Sequence, residues 1–287
     1  MADPKAVEKD EERDAEGAYL SPPVQRAARL LRHIAEGDPV TNMARTAREL
    51  GINRTTLLRL LHTLEAERFI EPRGDDKPGW RIGLGLIGMA AQAFFSEDLV
   101  QVAVPVLTRL AERLGLSAHL GVLDGMEVVY VVRRTPNHAF ASNIRVGSRL
   151  PAHAANMGRI ILAHLPAERV ARMYAGAAMP AATTHTAVTL PQLRERLDAD
   201  RESGLAWSEG HYEAGISSVA AAVLDASGQP VAAINVSGHS ADFDGEAAHR
   251  RIGDAVAEAA EEISRRLGWH GPARRAAPDL LWKDKVA

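Results

Sequence analysis

The sequence predicts an α+β protein of two domains, a winged helix-turn-helix module followed by a larger mixed α/β domain. Three observations carry this. Across residues 21–82 the patterns run helix, helix, turn, helix, hairpin. Across residues 97–268 helices alternate with short strands joined by tight turns, the order of an antiparallel α+β domain. The charge also divides by region: the formal net charge of −3 hides −4 on Met1–Leu20, +3 on Ser21–Ile82 and −2 on the remainder. A length of 287 residues suits two domains of ordinary size.

Composition removes several function classes. With no cysteine there is no disulfide, thiolate catalysis or cysteine-based metal site, and the usage fits a reducing compartment. The N-terminus is acidic and polar, without the basic start and apolar run of a secretion signal. No apolar stretch reaches the roughly 18 residues that a membrane-spanning helix needs. The expectation is a soluble cytoplasmic protein.

Residues 1–20 are charge-rich and poor in large apolar side chains, and read as a disordered acidic arm. A helix starts near Pro22–Pro23, where proline is tolerated in the first turn, and ends at Glu36–Gly37. Its expected buried stripe is Val24, Ala27, Ala28, Leu31 and Ile34. A short second helix covers Asn42–Leu50, with Thr41 placed to cap it. Gly51 allows a sharp turn, and Asn53 caps a third helix over Arg54–Glu67.

Leu57, Leu60, Leu61 and Leu64 repeat at i, i+3, i+4 and i+7, so one face of this third helix is apolar. Arg54, Thr55, Leu58, Arg59 and His62 occupy the other face, with Asn53 and Thr56 at its start. Arginine can pair with phosphate or guanine, and threonine offers a hydroxyl and a methyl, which suits a DNA major groove. The same pattern occurs in helical bundles whose arginines meet only water. What separates the two readings is the hairpin that follows.

Phe69–Pro72 and Trp80–Ile82 flank the polar loop Arg73–Gly79, and together they complete a winged module over residues 21–82. Arg73, Lys77 and Arg81 are placed to reach phosphates or the minor groove. The hairpin also covers the open side of a small helical core, and the two roles are compatible. Leu58 is an unusual exposed residue for a reading helix. It can meet a thymine methyl or pack against a second subunit.

Residues 83–96 read as a linker helix whose apolar Leu84, Ile87, Ala91 and Phe94–Phe95 suit contact with a second copy. Within it, Gly83, Gly85 and Gly88 match Gly-x-Gly-x-x-Gly. The match is weak, because no convincing parallel strand follows.

The second domain, residues 97–268, opens with a helix over Val102–Leu114. Ala118–Leu123 and Glu127–Arg133 are strands joined at Asp124-Gly125, a strong hairpin turn. Ala139–Ile144 reads as a further strand and Arg145–Pro151 as a loop. Helices follow over Ala152–Leu165 and Glu168–Ala175, and Thr189 caps another over Leu190–Ser203. Val219–Leu224 and Val231–Ser237 form a second hairpin. Ala247–Leu267 closes the domain with Ile252, Val256, Ala260 and Ile263 inward. Residues 269–287 read as a loose tail.

Catalytic and metal chemistry are not visible. The histidines are scattered without metal-ligand spacing, and there is no Gly-x-Ser-x-Gly elbow or phosphate-binding loop. No cofactor, metal or catalytic residue is expected.

Several ordered segments resemble one known family. They are the Val24–Glu36 helix, Leu50-Gly51-Ile52 and Arg59-Leu60-Leu61 within Ala47–Phe69, and Trp80-Arg81-Ile82-Gly83. In the second domain they are Val128-Val129-Tyr130, Val146–Pro151, Ala154–Ala163, Glu213-Ala214-Gly215-Ile216 and Val231–Gly238. Over about Pro22–Gly268 the chain resembles the IclR family of transcriptional regulators. The Val146–His153 stretch and Met157-Gly158-Arg159 look like the subgroup controlling breakdown of aromatic acids such as protocatechuate or 4-hydroxybenzoate.

The resemblance implies a C-terminal GAF-like effector domain, assembly as homodimers or dimers of dimers, and double-stranded operator DNA as partner. It implies an aromatic or other small organic acid as effector. The implied pocket residues are Asn156, Met157, Gly158, Ser208, Glu209, Ser218, Asn235 and Ser237. The sequence departs from the family pattern at three of them: Ser208 stands where Asp is common, Ser218 replaces Cys and Asn235 replaces the first Ser of a Ser-x-Ser pair.

The residues themselves agree in outline. A helix start at Met157-Gly158 can present backbone N–H groups to an anion, and Asn235 and Ser237 share one face of a strand beside Ser218. Each is equally at home in ordinary sheet and loop hydrogen bonding. Two function classes follow: a ligand-responsive regulator, or an enzyme or constitutive scaffold carrying a DNA-binding module.

Overall fold

The computed structural model describes residues 20–74, 77–95, 98–136, 144–209 and 215–271, with the backbone alone for 91–95 and 98. The expected arm, the tail beyond residue 271, most of the Ala139–Ile144 strand, Glu213-Ala214 and the side chains of Ala91 and Phe94–Phe95 lie outside this description. The chain forms two compact units, Met1–Ser96 and Glu97–Ala287.

The first unit contains α1 (Pro22–Ala35), α2 (Met43–Glu49), α3 (Arg54–Ala66), the hairpin β1 (Ile70–Pro72) and β2 (Trp80–Ile82), and α4 (Leu84–Phe95). Its core joins Leu30 and Ile34 of α1 to Val40, Ala47, Leu57, Leu61, Leu64 and Ile70. The stripe of α1 is therefore rotated from the one expected. Leu30 is fully buried and Val24 is 67% exposed, because Leu30, Leu31 and Ile34 already fill the face turned to α3. The cap of α2 is Asn42, not Thr41: its side chain accepts from the Arg45 backbone N–H at 3.0 Å. Asn53 caps α3 by accepting from Thr56 N–H at 2.7 Å.

Gly83 and Gly85 pack against the Arg68 carbonyl, where a Cβ on either would lie 2.4 and 2.6 Å from it. Close backbone packing, not phosphate binding, explains this glycine pair. Leu84, Ile87 and Met89 of α4 are exposed.

The second unit contains α5 (Asp98–Leu114), β3 (Ser117–Asp124), β4 (Glu127–Arg134), β5 (Arg149–Pro151), α6 (Asn156–His164), α7 (Ala167–Met173), α8 (Leu190–Ser203), β6 (Ala206–Glu209), β7 (Ile216–Leu224), β8 (Pro230–His239) and α9 (Glu246–Arg266). Six strands make one antiparallel sheet in the order β5-β4-β3-β8-β7-β6. Helix α6 packs on one side of it with α8 behind, while α5 and α9 pack against its strands and against each other.

Three expectations need correction. Arg149–Pro151 is a strand, because pairing with β4 supplies the hydrogen bonds that so short a segment cannot announce. Ala152–Ala155 precede α6 as a turn and are not part of it. Strand β6 was not expected, since Ala-Trp-Ser-Glu carries too short an alternation to register. Thr189 caps α8, accepting from Gln192 N–H at 3.4 Å, as expected.

Candidate DNA face and ligand cavity

The first site is local. Helix α3 turns Leu57, Leu61 and Leu64 inward and leaves Arg54, Thr55, Leu58, Arg59 and His62 exposed, with Thr56 half-buried under its cap. Arg73 and Lys77 are exposed on the wing. Arg81 is also exposed but is held across the hairpin by Glu71, at 2.7 and 2.8 Å, so a phosphate would have to compete with that carboxylate. On the flank of α2, Arg45 is bonded to Asp38 and lies 3.8 Å from Glu49. His33, Asp38 and Glu49 are the one three-residue group among the described residues spaced to hold a metal ion. The Arg45 guanidinium already supplies the cation there.

The second site is assembled from segments far apart in sequence. A cavity of about 40 Å³ is lined by Asn156 and Ala155 at the start of α6 and by residues of β3, β4, β5, β6, β7 and β8. Cross-strand register explains its polar floor. Ser117, Ser237, Ser218 and Ser208 are direct partners in one row across four strands, and the next row begins with His119 opposite Asn235. Farther along, the same face carries Ala206, Ala220, Ala233, Tyr130 and Val128, which belong to the core around α6. The sheet face is thus apolar under the body of α6 and polar beside its start.

A bulge completes the wall. Leu120 pairs with Val132 and Gly121 with Tyr130, leaving Val131 without a partner. The extra residue inverts the alternation of β4, which brings Tyr130 onto the face of His119. The two rings meet edge to face with centroids 5.5 Å apart.

The polar groups form a chain. Asn156 Nδ2 donates to the Ala206 carbonyl at 3.3 Å and to Ser218 Oγ at 3.0 Å. Asn235 Nδ2 donates to Asn156 Oδ1 at 3.2 Å, and Asn235 Oδ1 lies 2.9 Å from His119 Nδ1. His119 is 1% exposed. Burial pushes its imidazole down to about 4, with the Arg133 charge adding to that and the Asn235 hydrogen bond opposing it.

Of the residues expected at a pocket, Asn156, Ser208, Ser218, Asn235 and Ser237 line this cavity. Met157, Gly158 and Glu209 do not. Gly158 is pressed against Ala152, where a Cβ would fall 2.4 Å from the Cα. Met157 is fully buried in the core, and Glu209 is exposed at the end of β6. Sequence reading also missed His119, Tyr130, Leu150 and Ile216, which do line it. The one available signal was a histidine inside the apolar strand Ala118–Leu123.

Beside the cavity Arg159, 3% exposed, donates to Asp200 at 2.9 Å and to the Trp207 carbonyl at 2.6 Å. This pair clamps α6 to α8 and β6. Burial pushes the Asp200 carboxyl up, against the pull of Arg159.

A helix-turn-helix unit with a wing, joined to a unit with a buried polar cavity, defines a DNA-binding regulator with a separate sensing domain. Comparison with known proteins fixes the family. Residues 23–74 match the IclR helix-turn-helix domain, and residues 91–265 match the bacterial transcriptional regulator IclR C-terminal domain. The chain belongs to the IclR family of ligand-responsive transcriptional regulators and is not an enzyme.

It is 30% identical to the uncharacterized HTH-type transcriptional regulator RhmR of Escherichia coli over 251 residues, 88% of this chain and 95% of that protein. It is 27% identical to the transcriptional repressor IclR of the same organism, covering 85% of this chain and 89% of that one. The IclR regulator of Alicyclobacillus acidocaldarius superposes with a TM-score of 0.76 at 27% identity, over 87% of this chain and all of that one. Among the described residues no helix is long and apolar enough to cross a membrane.

Proposed function

We propose that this cytoplasmic regulator binds a palindromic operator as a homodimer, alone or within a dimer of dimers. In this reading Asn53, Arg54, Thr55, Thr56, Leu58 and Arg59 meet the major groove, while Arg73, Lys77 and Arg81 meet the flanking backbone. An aromatic carboxylic acid entering the cavity of the second unit alters operator occupancy. The observation that carries the sensing role is the cavity itself: a buried polar chain, Ser218–Asn156–Asn235–His119, where the sheet face turns from apolar to polar beside the start of α6. Buried polar groups of this kind must be satisfied by partners, water or ligand.

Tyr130, Ile144, Leu150 and Ile216 offer apolar walls to a ring. Among the described residues no lysine, arginine or carboxylate lines the cavity, so neutral donors would hold the acid: serine hydroxyls, the Asn156 amide and the backbone N–H of Asn156 at the start of α6, which has no intrahelical acceptor. About 40 Å³ holds about three waters, so a benzoate would have to widen the space. An IclR homolog of Microbacterium hydrocarbonoxydans was crystallised with 4-hydroxybenzoate. At 24% identity and a TM-score of 0.75 it shares the fold, and the fold is what it lends to this reading.

Ligand control requires different affinities in the DNA-competent and other arrangements, since equal affinity shifts nothing. Calorimetry of the full chain against benzoate, 4-hydroxybenzoate, protocatechuate and short aliphatic acids, with operator footprinting beside it, tests the proposal. Saturable binding of an aromatic acid with altered footprint occupancy is expected. Binding of aliphatic acids alone rejects the aromatic reading, and an occupancy that no acid changes supports a constitutive DNA-binding scaffold.

A further inference from the structure

The orientation of the buried polar chain can be followed from a fixed point. The Ala206 carbonyl can only accept, so the Asn156 atom facing it is the donating Nδ2. That turns Asn156 Oδ1 toward Asn235, which must then present its own Nδ2. Asn235 Oδ1 is left facing His119 Nδ1. An amide oxygen accepts and does not donate, so the imidazole proton sits on Nδ1. One backbone carbonyl thus sets two amides and one tautomer.

The other ring nitrogen is then a bare lone pair. His119 Nε2 is buried and has no hydrogen-bond partner among the described residues, and the ring lines the cavity. At neutral pH the imidazole carries no second proton, because burial holds it far below its ordinary range. The ring that lines the cavity therefore carries an acceptor with no donor among the described residues. A carboxylate oxygen cannot serve. An ammonium is disfavoured because among the described residues no carboxylate lines the cavity to balance it, and Asp200 is already engaged by Arg159. A neutral hydroxyl meets the requirement.

Resting on the reading of this cavity as the effector site, we propose that His119 Nε2 accepts a hydrogen bond from a ligand hydroxyl, so the protein selects hydroxy acids over their deoxy counterparts. A deoxy acid would bury the Nε2 lone pair without a partner. Unpaired buried polar groups of this kind weaken binding about tenfold or more.

The test uses the full chain and matched acids: glycolate with acetate, lactate with propionate, and 4-hydroxybenzoate with benzoate. In calorimetry the hydroxy member of the pair that binds should be at least about tenfold tighter. His119→Asn retains an amide donor near the Nδ1 position and lacks Nε2, so the preference should collapse there. Thermal unfolding of the variant shows whether it folds. Nitrogen-15 NMR of histidine-labelled wild-type protein gives a readout that needs no variant to fold. Free protein at pH 7.5 should show, beside His164 whose Nδ1 donates to the Ile160 carbonyl, a histidine with protonated Nδ1 and an unprotonated Nε2 that shifts with the hydroxy acid and not with its partner. A protonated His119 Nε2, or equal affinities within every pair that binds, overturns this inference and leaves the sensing role standing. No binding by any of the six, nor by protocatechuate, overturns both.

Discussion

Helix α3 and the cavity are built in opposite ways. Along α3 the exposed residues Arg54, Thr55, Leu58 and Arg59 lie within one stretch of helix, and the buried leucines interleave with them. Around the cavity, His119 and Asn235 touch across 116 residues of sequence. The same chemistry also behaves differently in the two places. Arg59 is exposed and available to an outside anion, whereas Arg159 is sealed against Asp200 and the Trp207 carbonyl. A surface that reads DNA needs solvated charge it can redirect. A cavity that reads a small molecule needs polar groups whose orientation is settled before the ligand arrives.

The largest effect should come from breaking the sealed arginine's partner. Asp200→Ala leaves Arg159 buried and uncompensated, at a cost of about 3–5 kcal/mol. Denaturant unfolding of the variant should show an early transition of the second unit. If midpoint and slope match the wild type, solvent reaches that pair and the contrast with Arg59 fails.

Next comes the pH dependence of His119. Its folded-state value is lowered from 6.5 to about 4, so between those pH values the unfolded chain takes up a proton that the folded state refuses. Stability from this group is complete above 6.5 and is lost as the pH falls toward 4. At about 1.36 kcal/mol per pH unit the full loss is about 3 kcal/mol. His164, also lowered by burial, acts in the same direction, while Asp200, raised by burial, opposes it. The difference between wild type and His119→Asn, followed by urea unfolding from pH 7.5 to 4, isolates the His119 share. A difference independent of pH would show that the ring is solvated.

On the DNA side, Arg59→Ala should cost about 1–3 kcal/mol of operator affinity if the guanidinium makes a two-point contact with guanine. Fluorescence anisotropy with operator and scrambled duplexes measures it, and an equal loss on both would reassign Arg59 to phosphate. The smallest effect on specificity is expected at the wing. Arg73→Ala with Lys77→Ala should weaken every duplex alike and flatten the salt dependence, each lost phosphate contact removing about 0.9 from the slope of log K against log salt. An unchanged slope with complete loss of binding would mean that the hairpin holds the helical core together and touches no DNA.

How much was legible in the sequence follows from the same contrast. Helical periodicity and caps are local, so α3, its Asn53 cap and the exposed Arg54, Thr55 and Arg59 could be read directly. Even there, neighbours decided details. Val24 faces outward because Leu30 takes its place in the core, and Arg81 is drawn to Glu71 across the hairpin.

In the second unit the sequence determined the α+β class, most helices and both long hairpins. It also supplied five of the cavity's polar residues, by resemblance more than by pattern. The tertiary structure alone decided that β5 and β6 exist, that four serines fall into one row, that the unpaired Val131 turns Tyr130 toward His119, and that His119 belongs to the site at all. The physical reason is that strand register and bulges are set by pairing between distant segments. One residue of slip moves a side chain to the opposite face of the sheet. Periodicity within a segment says which residues share a face, and only the partner strand says what that face meets.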